Sequence, residues 1–90
     1  MPSLAPLFNL SDNWNGYGSE APNALSLHNA ALFLDLLRFI GAWPESISAS
    51  AEGGVALLFV RGNRSLLVEV YNDGGLCHIE YAADGAGGVG

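Results

Sequence analysis

The chain contains no lysine and only three arginines, against nine aspartates and glutamates, so its formal net charge is −6. That shortage removes the clustered cations with which proteins neutralise phosphate backbones, and it argues against direct nucleic-acid binding. An anionic membrane surface is disfavoured for the same reason. Cysteine is nearly missing as well. Cys77 is the sole one, which rules out an internal disulfide and fits a reducing, cytoplasmic setting. No apolar run approaches the roughly 20 residues of a membrane span, because Asp35 and Arg38 interrupt the longest one. The N-terminus lacks a basic stretch leading into an apolar core, so no signal peptide is expected.

Apolar side chains, by contrast, are plentiful: half of the 90 residues are hydrophobic. That length predicts one domain with one modest core, needing neither disulfide nor metal, and it offers more apolar surface than a lone chain this size hides. Leu4, Leu7 and Phe8 have helical spacing and predict a first helix near residues 3–11, its start blurred by Pro2 and Pro6. A loop follows, Trp14-Asn15-Gly16-Tyr17-Gly18 and Ser19 to Asn23. A second helix is expected from about Leu27 to Ile40 or Gly41, with Ser26 as its N-cap and Asn23 the competing choice. Its inward stripe reads Leu27, Ala30, Ala31, Phe33, Leu34, Leu37 and Ile40, and Gly41 with Pro44 stops it.

The remainder reads as strands over Ser46–Ala49, Val55–Arg61, Ser65–Tyr71 and Leu76–Tyr81, separated by turns at Glu52-Gly53-Gly54, Gly62-Asn63 and Asp73-Gly74-Gly75. Connections this short make neighbours antiparallel. The expected fold is α+β: two N-terminal helices packed on one face of a four-stranded antiparallel β-meander, ααββββ, over residues 1–83, with 84–90 a flexible glycine-rich tail. Alternation places Val55, Leu57, Phe59, Leu66, Val68, Val70, Cys77, Ile79 and Tyr81 toward the helices. It leaves Ala56, Leu58, Val60, Leu67, Glu69, Tyr71, His78 and Glu80 on the outer face.

These residues together resemble a family of short, uncharacterised bacterial and phage proteins. The shared pattern is a Trp-x-Gly-Tyr-Gly loop (Trp14 to Gly18), an apolar helix, Pro44 to Ile47, Glu52-Gly53-Gly54 and Leu67 to Val70. Family members commonly carry Asp where this chain has Asn15, and an acid where it has Leu58, which makes the outer sheet face greasier here. The resemblance implies an accessory role near mobile elements and brings no activity, cofactor or catalytic residue with it.

Chemistry-bearing constellations are sparse. Cys77 and His78 are adjacent on a strand and so point to opposite faces, which prevents a nucleophile pair. His28 and His78 lack further metal ligands at useful spacing. The acids stand singly, and only Glu69 and Glu80 are placed to share a face as an acid–base pair. The glycine pairs do not sit between a strand and a helix with a following lysine, so none is a phosphate loop. The Trp14–Gly18 loop reads first as a plug that packs Trp14 and Tyr17 under the second helix, and otherwise as a recognition surface. On that helix Leu32, Leu36 and Phe39 recur at i, i+4 and i+7 beside Asp35, forming a second apolar stripe. The first helix, a second copy of the chain or a foreign protein must cover it.

The leading expectation is a non-enzymatic protein-interaction domain without metal or cofactor, its partner contacted by Leu32, Asp35, Leu36, Phe39, Leu58, Glu69, Tyr71 and Glu80. One form is a phage-encoded, anti-CRISPR-like inhibitor that occludes a basic nucleic-acid-binding surface of a host defence protein. Alternatives are an antitoxin-like or accessory subunit, or homodimer, joined through the apolar stripe, and a small enzyme using Cys77 or Glu69 with Glu80.

Overall fold

The computed structural model describes residues 2–82, with side chains through Glu80. The glycine-rich stretch 84–90 lies outside the described residues. One α-helix, α1 (Ala24–Phe39), precedes four strands: β1 (Ser46–Ser50), β2 (Gly54–Arg61), β3 (Arg64–Tyr71) and β4 (Leu76–Ala82). They form one antiparallel sheet in the order β1-β2-β3-β4, the expected meander.

The expected pair of helices is corrected to one α-helix among the described residues. Residues Ala5–Asn9 make only a 3₁₀ turn, with Pro6 in its first turn and no side-chain cap at Leu4. Pro6 contributes no N–H, and Leu10 is already extended, so the segment is too short to propagate an α-helix. Its i→i+3 bond from Leu7 N–H to the Leu4 carbonyl, 2.9 Å, suffices to tuck Leu7 into the core.

α1 begins three residues earlier than the spacing predicts. Asn23, not Ser26, is the N-cap: its side chain accepts from the Ser26 N–H at 2.9 Å, while the Ser26 hydroxyl accepts from the Asn23 N–H at 3.1 Å. This reciprocal capping box places Ser26 at the third helical position, fully buried. At the other end Gly41 takes φ +80°, the Gly41 N–H reaches the Arg38 carbonyl at 3.1 Å and the Ala42 N–H reaches Leu37 at 2.8 Å. That is a Schellman stop, which favours glycine because its φ is left-handed. Ala30 and Leu34 are buried and Leu27, Phe33 and Leu37 half-buried, as the inward stripe requires, but Ile40 is exposed because it sits at the cap, past the sheet.

α1 covers the middle of the sheet. The core combines Leu7, Ala30 and Leu34 with Val55 and Leu57 of β2 and Val68 and Val70 of β3, and Val55 and Leu57 are fully buried. β4 lies beyond this cover, and here the expected faces are inverted. The Tyr71 N–H donates to the Gly75 carbonyl at 2.9 Å, closing a loop of Asn72, Asp73 and Gly74. Leu76 is thereby set opposite Val70, His78 opposite Val68 and Glu80 opposite Leu66. Those three positions share the helix-facing side, whereas Cys77 and Ile79, opposite Glu69 and Leu67, lie on the outer one. The apolar alternation of β4 reads outward because α1 leaves that strand uncovered.

Candidate functional site

Three surfaces carry the candidate residues, and α1 supplies the first. At about 100° per residue, the side chains flanking Ala30 separate into two sides. Toward one side, the 3₁₀ segment brings Leu4 beside Ala31, Leu34 and Asp35, and Phe8 beside Leu27, His28 and Ala31. Toward the other, Leu25 lies against Gly74 of the β3–β4 loop. The N-terminal segment therefore covers the flank next to the second stripe and leaves the stripe itself open. Leu32, Leu36 and Phe39 remain 53, 68 and 90% exposed, and Leu25 and Ile40 extend the row at its ends. Asp35 sits at the border between stripe and covered flank. Sequence spacing found the core of this row; Leu25 and Ile40 were missed because one precedes the expected helix start and the other was assigned inward.

The Trp14–Gly18 loop is the second surface. Its glycines both take positive φ, +79° at Gly16 and +84° at Gly18. Two asparagines knit the backbone: Asn13 Oδ1 accepts from the Gly18 N–H at 2.7 Å, and Asn15 Oδ1 from the Tyr17 N–H at 2.9 Å. Asn15 Nδ2 donates to Ser19 Oγ at 2.8 Å. Trp14 is half-buried, with its Nε1 donating to the Glu20 carbonyl at 3.2 Å. Tyr17 is not a plug: it is 90% exposed at the tip of this braced loop. Asn13, Asn15 and Ser19 satisfy the loop internally and Trp14 ties it to Glu20, so Tyr17 is not needed to anchor it.

The outer sheet face is the third. Leu58, Leu67 and Ile79 stand opposite one another on β2, β3 and β4, forming an aliphatic row across the sheet. Beside it the Ser50 hydroxyl donates to the Glu69 carboxylate, a diagonal reach made feasible by Gly54, which has no side chain between them. The Tyr71 phenol is raised above its ordinary range, first by partial loss of solvent, then by the neighbouring Cys77 thiol and the nearby Glu69 charge. This cluster favours the protonated form of Tyr71 and fixes Glu69 on the outer face.

Glu80 was expected beside Glu69 and is not there. It lies on the helix-facing side, 3.5 Å from Arg64, so the sheet itself separates the two carboxylates and no acid–base pair forms. Cys77 and His78 are likewise on opposite faces, and His28 sits by Phe8 beside α1. Among the described residues no group of three or more potential metal ligands occurs.

Two clefts mark the ends of the molecule. One, about 460 Å³, lies below the C-terminus of α1, where Trp43, Phe59 and Leu66 meet Arg61, Arg64 and Glu80. Arg38 stacks 5.2 Å from the Trp43 ring centre, so all three basic side chains gather around this tryptophan. The other cleft, about 530 Å³, is rimmed by Glu20, Glu52 and Asp73 at the far end of β3. Among the described residues no helix is long and apolar enough to cross a membrane. Comparison of the chain with protein-family models, with curated proteins and with solved structures found no match.

Proposed function

We propose that this protein is a non-catalytic protein-interaction domain that captures its partner on the outward stripe of α1. One observation carries the reading: Leu32, Leu36 and Phe39 form a contiguous row on a rigid, doubly capped helix, and nothing among the described residues covers them. Scattered exposed leucines are ordinary, but an aligned helical row of this kind fits a groove on a partner. Burying such a side chain contributes about 1.5–3 kcal/mol. Replacing one with a charge therefore weakens capture at least about tenfold. The test uses the full chain as bait, beside Leu36→Asp and Phe39→Asp baits whose circular dichroism and melting are unchanged. A protein retained by the parent and lost from both variants supports the reading. Equal capture by all three baits overturns it.

The acidic end supports a second, narrower reading. Glu20, Glu52 and Asp73 crowd one cleft while every arginine lies at the other end, so a basic surface would be met there. An inhibitor that occludes the nucleic-acid site of a defence protein is the form suggested by the likeness to phage proteins. It predicts steep weakening of the complex with salt.

A further inference from the structure

We propose that two copies of this chain join edge to edge through β4, about a two-fold axis at Ile79, continuing the sheet to eight strands. β4 is an edge strand in the meander, with neither proline nor lysine to blunt it, and Leu76 and Ile79 on it are exposed. The Tyr71–Gly75 bond fixes which backbone groups of β4 face β3 and which face away from it. Antiparallel pairs alternate, so Cys77 and Ile79 direct their N–H and C=O toward β3. Those of Leu76, His78 and Glu80 point out of the edge, where no other described strand pairs with them.

A two-fold partner must match outward groups with outward groups, so the axis passes through a residue, not between two. Centred on His78, the pairing sets His78 against itself and Leu76 against Glu80. Centred on Glu80, it opposes two carboxylates. Centred on Ile79, it sets His78 opposite Glu80 of the second copy, and Glu80 opposite His78 of the second copy, both as hydrogen-bonded pairs. On the outer face the same register meets Ile79 with Ile79. The row Leu58–Leu67–Ile79 then runs unbroken into its symmetry mate. Among these three registers, an imidazole hydrogen-bonding to a carboxylate on one face and isoleucine against isoleucine on the other both favour the axis at Ile79. Glu80 already pairs with Arg64 at 3.5 Å, largely in solvent, and remains reachable. The helices stay apart: α1 lies over β2 and β3, so about four strand spacings, roughly 19 Å, separate the two copies of it, against 8–10 Å for packed helices. The α1 stripe thus stays open, and this inference stands or falls separately from the proposed function.

The test is sedimentation equilibrium of the full chain together with directed cross-linking. The mass is expected at twice the 9.4 kDa of one chain. His78→Pro removes an outward N–H without touching the β3 ladder and is expected to halve the mass with unchanged circular dichroism. In a Cys77→Ser background, Ile79→Cys should form a disulfide-linked dimer in a glutathione buffer, since facing Cα atoms of such a pair lie about 4.5 Å apart. His78→Cys in the same background should not, being offset from its own mate. Leu36→Asp should leave the doubled mass intact, which separates this interface from the stripe. A monomer at every concentration overturns the proposal. So does a dimer that survives His78→Pro, or one that cross-links through His78→Cys and not Ile79→Cys.

Discussion

Gly54 is the residue whose side chain matters most by its absence. Its φ is +146°, and a Cβ there would stand 2.1 Å from the Val70 carbonyl oxygen and 2.9 Å from Tyr71 Cα, all backbone. Nothing flexible can yield, so Gly54→Ala should lose more than about 3 kcal/mol, a large share of a small domain's stability. The urea midpoint measures it; a shift equivalent to less than about 1 kcal/mol would refute the close approach. Gly16 and Gly18 differ, since open space surrounds both and only their positive φ is at stake. Tyr71 gives a second residue-level outcome. Its phenol is raised by lost solvent, by Cys77 and by Glu69, so the fold favours the neutral form. The linked stability is intact below the ordinary phenol range and is lost as pH rises through the folded value. Melting followed from neutral to strongly alkaline pH should fall less steeply for Tyr71→Phe than for the parent. Parallel curves would show that Tyr71 carries none of the dependence.

Elements here are held by a few polar joints, and Asn72 is the main one. Its Oδ1 accepts from the Asn23 N–H at 2.9 Å and the Ser26 hydroxyl at 2.8 Å, and its Nδ2 donates to the Ala21 carbonyl at 3.0 Å. The side chain thus buckles the start of α1 to the β3–β4 loop. Asn72→Ala should cost about 2–3 kcal/mol by urea unfolding, with Asn72→Asp, which keeps the acceptor, in between. Equal losses for the two would show that the acceptor bonds contribute nothing. How far such elements were legible follows their physics. The four strands and their order were readable because short turns permit one pairing, and α1 because its apolar positions recur at helical spacing. The first segment misled because Leu4, Leu7 and Phe8 have helical spacing whether the backbone is α or 3₁₀, and Pro6 decides between them. β4 misled because alternation gives two faces without saying which is inner. The count of residues in the Asn72–Gly74 loop settles that, and with it the separation of Glu69 from Glu80. The α1 stripe was legible from period alone, whereas the exposure of Tyr17 depended on side chains of Asn13 and Asn15 that spacing does not reveal.

Across the whole molecule the charge is unevenly laid out. Arg38, Arg61 and Arg64 cluster about Trp43 at one end of β3, and Glu20, Glu52 and Asp73 about Tyr71 and Asn72 at the other. A strand of this length separates them by about 23 Å, well beyond the roughly 8 Å over which exposed charges act at physiological ionic strength. The two ends are therefore electrostatically independent, and so is the apolar stripe of α1 between them, which leaves salt as a means of finding which surface a partner uses. Raising salt from about 0.05 to about 0.5 M shortens the screening length from about 14 Å to about 4 Å. A complex seated on Leu32, Leu36 and Phe39 should weaken less than about threefold over that range, because apolar burial is not screened. One seated on the acidic end should weaken at least about tenfold. Titration of the captured partner at the two salt concentrations is expected to give the first result. The second would move the binding site from α1 to the Glu20–Glu52–Asp73 cleft and, with it, the mode of recognition from shape to charge.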